Sequence, residues 1–138
     1  MNKPKSFEDA CLIMGTTPES VISEEARKYL TPREILSREI DWITCCINGP
    51  DYKPEHKNTS EPKFWPWFHI VLDASSPFGF RLAYHVCVYG SSLSTLGARL
   101  PFATEAGAIY MGETFADKYA ELLVAEHGIK WVFDQVKE

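Results

Sequence analysis

Residues 78–90 read FGFRLAYHVCVYG, a stretch in which a large apolar or aromatic side chain occupies every second position. The even-numbered positions are Phe78, Phe80, Leu82, Tyr84, Val86 and Val88. The odd-numbered positions are Gly79, Arg81, Ala83, His85, Cys87 and Tyr89. Successive side chains of a β-strand point to opposite faces of the sheet. The alternation therefore predicts a strand whose even-numbered side chains are buried and whose odd-numbered side chains form an outward face.

Two further apolar runs flank this strand. WPWFHIVLD at 65–73 precedes it across the turn-forming residues 74–77, and a third run lies near 94–102. Short connections between strands are typical of an antiparallel meander. We expect about three antiparallel strands, with the buried face continued by Phe68, Ile70, Leu72, Leu96, Ala98, Leu100 and Phe102.

Helical patterns precede and follow the strands along the sequence. Residues 6–48 read as three helical pieces, which begin at the cap residues Ser6, Thr17 and Thr31. Thr31 and Glu34 have the spacing of a capping box. After the strands, Thr104 opens one long helix over 104–126, which is expected to pack on one face of the sheet. Residues 49–63 contain three prolines and no periodicity, which predicts a long exposed loop.

Composition and element order together define the class of protein. The chain has 138 residues, 45% of them hydrophobic, which excludes disorder along the whole chain. Helices and strands occupy separate segments, so we expect residues 1–138 to form a single α+β domain. The net charge of −5 makes a basic nucleic-acid-binding module unlikely. No secretory leader or membrane-spanning stretch is recognisable, and the four cysteines form no C-x-x-C pair, which favours the cytoplasm.

No catalytic or cofactor-binding motif is recognisable in the sequence. Phosphate-loop, dinucleotide, zinc-protease and serine-hydrolase patterns are all missing. His69, His85 and Cys87 could share one sheet face as metal ligands, but they lack the spacing of known zinc modules. We therefore expect neither an enzyme, nor a metal site, nor a cofactor.

The outward sheet face is the most informative set of residues. By parity it carries Trp67, His69, Arg81, His85, Tyr89, Thr95 and Arg99. Tryptophan, tyrosine and arginine dominate protein–protein interfaces, so a protein partner is the favoured interpretation. Single-stranded nucleic acid is the alternative, because its bases stack on aromatic rings. A third possibility is that residues 49–63 or the C-terminal tail cover this face.

Large aromatic residues outside the predicted core favour a homodimer. Buried positions are not evident for Trp65, Trp67, Tyr89, Trp131 and Phe133. Monomers rarely expose so large a patch, and twofold pairing would cover it in both copies. The competing account is that residues 129–136 fold back over Trp65 and Trp67.

Several strings of the sequence are distinctive, namely Pro66-Trp67-Phe68, Pro77-Phe78-Gly79-Phe80, the run GARLPF at 97–102, the spaced set Thr104, Glu105, Tyr110, Gly112 and Phe115, and the segment EDACLIMG at 8–15. Together they resemble a family of small bacteriophage and prophage-borne proteins from gut bacteria. Phe78, Ala98 and Pro101 depart from the family pattern, as do residues 49–63. No activity is established for the family, so the resemblance implies no catalytic residue. It implies a phage or mobile-element protein acting in the bacterial cytoplasm.

Overall fold

The computed structural model describes residues 1–53, 61–90 and 100–136, with the backbone alone described for 87–90. The fold is α+β and contains one antiparallel pair of strands among these residues. In chain order the elements are α1 (Phe7–Ile13), α2 (Pro18–Val21), α3 (Glu24–Tyr29), α4 (Pro32–Asn48), β1 (Lys63–Leu72), β2 (Phe80–Gly90), α5 (Glu105–Thr114), α6 (Ala116–His127) and α7 (Ile129–Asp134). Within the described residues, no helix has the length and apolar character needed to cross a membrane.

The predicted helix starts are confirmed. The Ser6 side chain accepts a hydrogen bond from the amide of Asp9, and Thr31 and Glu34 form the complete capping box of α4. The N-terminal half contains four helices rather than three, because Ser23 caps a further short helix, α3. Gly49 follows α4 with a φ of 91°, a left-handed conformation that suits glycine.

The main core lies between the N-terminal helices and the pair α5 and α6. Its buried side chains are Phe7, Ala10, Cys11, Ile22, Ile40, Ile43, Cys46, Ile47, Phe102, Ala108, Met111, Phe115 and Leu122. Asn48 at the end of α4 joins this core to the chain that leads into α5. Its side-chain amide donates to the carbonyl of Pro101 at 3.0 Å and accepts from the amide of Ala103 at 2.9 Å. The helical half is thereby tied to the sheet-bearing half.

A β-bulge changes the predicted alternation of β2. Trp67 pairs with Val86 while Phe68 pairs with Tyr84, so His85 has no residue opposite it. A bulge shifts the side-chain alternation of one strand by one residue. The prediction that Val86 is buried is therefore wrong, since this side chain is exposed opposite Trp67. Phe80 and Leu82 are buried as predicted, whereas Leu72 and Leu100, which were also predicted to be buried, are exposed.

The helix predicted over 104–126 is two helices. It is interrupted at Phe115, whose φ of −116° and ψ of 24° lie outside the helical range, so α5 and α6 pack on the sheet as separate pieces. α5 approaches most closely at Gly112, where an added Cβ would lie 2.5 Å from the Tyr84 ring and 2.9 Å from Pro66. α6 contacts the sheet through Tyr119, whose ring centroid lies 5.0 Å from that of Phe68 on β1.

The predicted third strand and the predicted loop are only partly described. Most of the third strand falls at 91–99, outside the described residues. Phe102 at its end forms a single antiparallel bridge with Phe64. The loop prediction is wrong at Lys63, which begins β1 and is fully buried.

The C-terminal tail is the helix α7, which docks at the turn end of the hairpin. The Phe133 ring meets Phe80 edge-on at 6.2 Å, and Trp131 stacks on His127 at 4.1 Å. This placement leaves Trp67 exposed, so the account in which the tail covers Trp67 is wrong.

Candidate functional site

The candidate site is the outer face of the β1–β2 hairpin, the side opposite α5 and α6. We use "outer face" for the residues Trp67, His69, Val71, Arg81, His85 and Val86. Trp67 is 57% exposed and Val86, its partner across the ladder, is 45% exposed. Directly opposed residues on one sheet face lie close enough to form a continuous surface. The hairpin thus presents an aromatic and an aliphatic side chain together to the surroundings.

The structure brings four of the predicted site residues together. Trp67, His69 and Arg81 are exposed on the outer face, and His85 joins them at the bulge. The His69 and His85 ring centroids lie 3.9 Å apart, with the ring planes at 49°.

The side chains of the remaining predicted site residues lie outside what the structure describes. Tyr89 pairs through its backbone with Phe64, which packs against the main core, and its side chain lies outside what the structure describes. Thr95 and Arg99 also lie outside the described residues.

Arg81 is held at the end of the outer face by the turn that connects the strands. Its Nε lies 3.3 Å from the Asp73 carboxylate. Asp73 also accepts hydrogen bonds from the Ser75 hydroxyl at 2.6 Å and the Ser75 amide at 3.0 Å. These Ser75 hydrogen bonds, with smaller contributions from Ser76 and the Arg81 charge, lower the pKa of Asp73. The positive charge of this face therefore sits beside an ionised carboxylate.

The turn at 73–76 is expected to lose stability in acid. A carboxyl whose pKa is lower in the folded than in the unfolded chain stabilises the fold. This contribution is fully present at pH values above the pKa of the unfolded chain, which is near 3.8. That contribution disappears as the pH falls through the lower folded value. We expect Asp73→Asn to lower the melting temperature at pH 6, and the difference from the wild type to shrink as the pH falls below the unfolded value. Thermal unfolding followed between pH 2 and 7 tests this, and a difference that persists unchanged in acid would contradict it.

Ser75→Ala gives a graded control for the same turn. It removes the hydroxyl donor and keeps the backbone donor to Asp73. Its effect at pH 6 should therefore be smaller than that of Asp73→Asn and should decline over the same acid range.

The histidine pair is the nearest approach to a metal site in the described part of the chain. No group of three or more His, Cys, Asp or Glu side chains is close enough there to hold an ion. The side chain of Cys87, the third candidate ligand, lies outside what the structure describes. A stable structural zinc site takes about four ligands. The expectation that the protein holds no metal stays a prediction.

The three described cysteine side chains are all at least partly removed from solvent. Cys11 and Cys46 are fully buried, and Cys45 is half-buried. Burial is the main cause that raises the pKa of each of these thiols, and neighbouring acidic side chains add to it. A raised pKa keeps the sulfur protonated and poorly nucleophilic. Cys11 and Cys46, which belong to the main core, therefore have the character of core-filling groups.

A buried polar cluster at the start of β1 was not predicted from the sequence. The Lys63 ammonium lies 3.3 Å from the backbone carbonyl oxygen of Glu61 and 3.9 Å from its carboxylate. Burial raises the pKa of Tyr52, and the Glu61 charge raises it further. The only signal of this cluster in the sequence is the position of Lys63, directly before an apolar run. Composition alone assigns this lysine to the loop.

Comparison of the chain with protein-family models, with curated proteins and with solved structures found no match. The geometry of the outer face is therefore the basis for assigning a function.

Proposed function

We propose that this chain is a non-enzymatic binding protein that acts through protein–protein contacts on its outer face, where it pairs with a second copy of itself. The observation that carries the proposal is the exposure of Trp67 beside Val86. Tryptophan is the residue most enriched among interface positions that dominate binding energy. The resemblance described above adds the context of a phage or mobile-element protein in the bacterial cytoplasm.

The charge of the outer face supports pairing between identical copies. Arg81 is the only lysine or arginine among the described outer-face residues, and the Asp73 carboxylate lies 3.3 Å from it. In a twofold interface the same surface patch of each copy faces that of the other, so this face would meet a second patch that carries the same Arg81–Asp73 pair. Because the guanidinium is already accompanied by a carboxylate, two such faces can approach without strong repulsion.

The ion pair between Arg81 and Asp73 makes single-stranded nucleic acid the weaker alternative. Binding of a phosphate backbone depends on several lysine or arginine side chains that replace counterions. On the described outer face a phosphate would have to compete with Asp73 for Arg81. The net charge of the chain, −5, opposes binding further.

Sedimentation equilibrium over a dilution series tests the proposed self-association. We expect the wild-type mass to rise with concentration from 15.7 kDa towards twice that value. Trp67→Asp should weaken association about tenfold or more, because it removes the central apolar side chain and introduces a charge. Trp131→Ser is the matched control, since Trp131 is a partly exposed tryptophan that stacks on His127, away from the outer face.

Two outcomes would contradict the proposed self-association. One is a monomer mass at every concentration, and the other is a Trp67→Asp variant that associates as strongly as the wild type. Binding to a single-stranded oligonucleotide that weakens with salt and with Trp67→Ala would favour the nucleic-acid alternative instead.

A further inference from the structure

A groove separates the beginning of β2 from the junction of α5 and α6, and it shares one residue, Arg81, with the outer face. Its volume is about 460 Å³, within the range of sites that hold small ligands or a few peptide side chains. Phe78, Phe80 and Leu82 form the strand side of the groove. The small side chains of Ala116 and Ala120 line the helix side, which leaves the space between the two elements open.

The helix side of the groove carries an uncompensated negative charge. Glu113, Asp117 and Glu121 line it at four-residue intervals, and all three are exposed. Within the described residues none of these carboxylates forms an ion pair. Lys118, although adjacent in sequence, extends instead to Glu39 at 3.0 Å. An occupant would therefore meet apolar side chains and three carboxylates together.

Arg81 also lines the groove but does not neutralise it. Its guanidinium lies 3.3 Å from Asp73, outside the groove lining. The described charged side chains of the lining comprise three carboxylates and one guanidinium, so the excess charge is negative. An anionic occupant would be repelled, and a neutral apolar one would gain no attraction from the three exposed carboxylates.

We propose that this groove binds a basic peptide segment of a partner protein, in which an apolar or aromatic side chain is flanked by lysine or arginine. The apolar side chain would lie against Phe78 between β2 and α6, and the flanking cations would contact Glu113, Asp117 and Glu121. Short amphipathic segments that place apolar anchors in a groove are a common mode of peptide recognition. This proposal does not depend on self-association through the outer face.

Titration of the full chain with a labelled peptide tests the proposal. The probe is dansyl-Lys-Lys-Phe-Lys-Lys, and dansyl-Glu-Glu-Phe-Glu-Glu is the charge-reversed control, both followed by fluorescence anisotropy. We expect saturable binding of the basic peptide only, with affinity that decreases as salt is added. Glu121→Lys should weaken binding about fivefold or more, because it replaces an attraction with a repulsion. Glu25→Lys on α3 makes the same change of net charge away from the groove and should have little effect.

A second variant separates groove binding from general attraction to an acidic protein. Ala116→Leu places a larger apolar side chain in the groove without changing any charge, and it should also weaken binding about fivefold or more. Circular dichroism would establish that each variant is folded, and a misfolded Ala116→Leu would be replaced by Ala116→Val.

Three outcomes would overturn the proposal. The first is the absence of saturable binding up to about 1 mM protein. The second is equal weakening by Glu121→Lys and Glu25→Lys, which would indicate unspecific attraction. The third is tighter peptide binding by Tyr29→Ala. Lys28 and the exposed Tyr29 of a second copy offer the same chemistry as the basic peptide. A gain in affinity on removal of Tyr29 would show that this segment of a second copy is the occupant of the groove. Because none of these variants alters Trp67, failure here would leave the outer-face proposal unaffected.

Discussion

Replacing Phe80 with alanine is expected to lower the free energy of unfolding by about 4 kcal/mol. The Phe80 side chain is 1% exposed and belongs to the core cluster that also contains Leu82, Ala120 and Val132. It is also the ring that Phe133 contacts edge-on at the turn end of the sheet. Truncation would remove buried apolar surface and leave a cavity under α7, and both effects destabilise the folded state.

Chemical denaturation measures this loss directly. Arg81→Ala is the control, since the neighbouring side chain points to the outer face and its ion pair with Asp73 is partly exposed. Exposed ion pairs contribute at most about 1 kcal/mol. Equal destabilisation by Phe80→Ala and Arg81→Ala would contradict the assignment of inner and outer faces.

Replacing Gly112 with valine is expected to cost about 3 kcal/mol, although valine is the better helix former of the two residues. The Cβ alone would lie 2.5 Å from the Tyr84 ring and 2.9 Å from the Pro66 ring. Such contacts force the helix away from the sheet or the tyrosine out of its position. Overpacking of this kind typically costs more than the gain from helix propensity.

A double-mutant cycle attributes the cost to that contact. In a Tyr84→Ala background, Gly112→Val should be at least about 1 kcal/mol less destabilising than in the wild type, because the closest clash is removed. Additive effects of the two substitutions would show that α5 does not approach β2 at this point.

The helix starts were predictable because their causes are local. The hydroxyl of Thr31 reaches the amide of Glu34 three residues later, and the glutamate reaches back to the threonine. Such hydrogen bonds depend on sequence spacing alone. The capping by Ser6 follows the same logic. The α+β class was predictable for a similar reason, since each segment has the periodicity of one element.

The bulge at His85 could not be predicted, and it decides which side chains form the outer face. The sequence alternates without interruption through 78–88, so nothing marks the position where the pairing slips by one residue. Register depends on how the strand fits its partner and the helices behind it. As a result, the sequence assigned Val86 to the core, whereas it lies beside Trp67 at the surface.

The remaining differences also arise from tertiary contacts. The periodic pattern over 104–126 continues through Phe115, where the chain bends and buries that ring in the main core. Lys63 was assigned to the loop by composition, yet it lies buried against Glu61. The groove has a sequence signal only in the four-residue spacing of Glu113, Asp117 and Glu121, which is equally typical of a solvated helix face.

Amide NMR spectra recorded over a range of protein concentrations test the proposed role of the outer face most directly. Uniformly labelled protein at low and high concentration would be compared residue by residue. The account predicts concentration-dependent shifts of the amide signals at 65–71 and 81–86 and of the Trp67 indole, with little change in α5 and α6. Spectra that do not change with concentration, or changes confined to the helices, would contradict it.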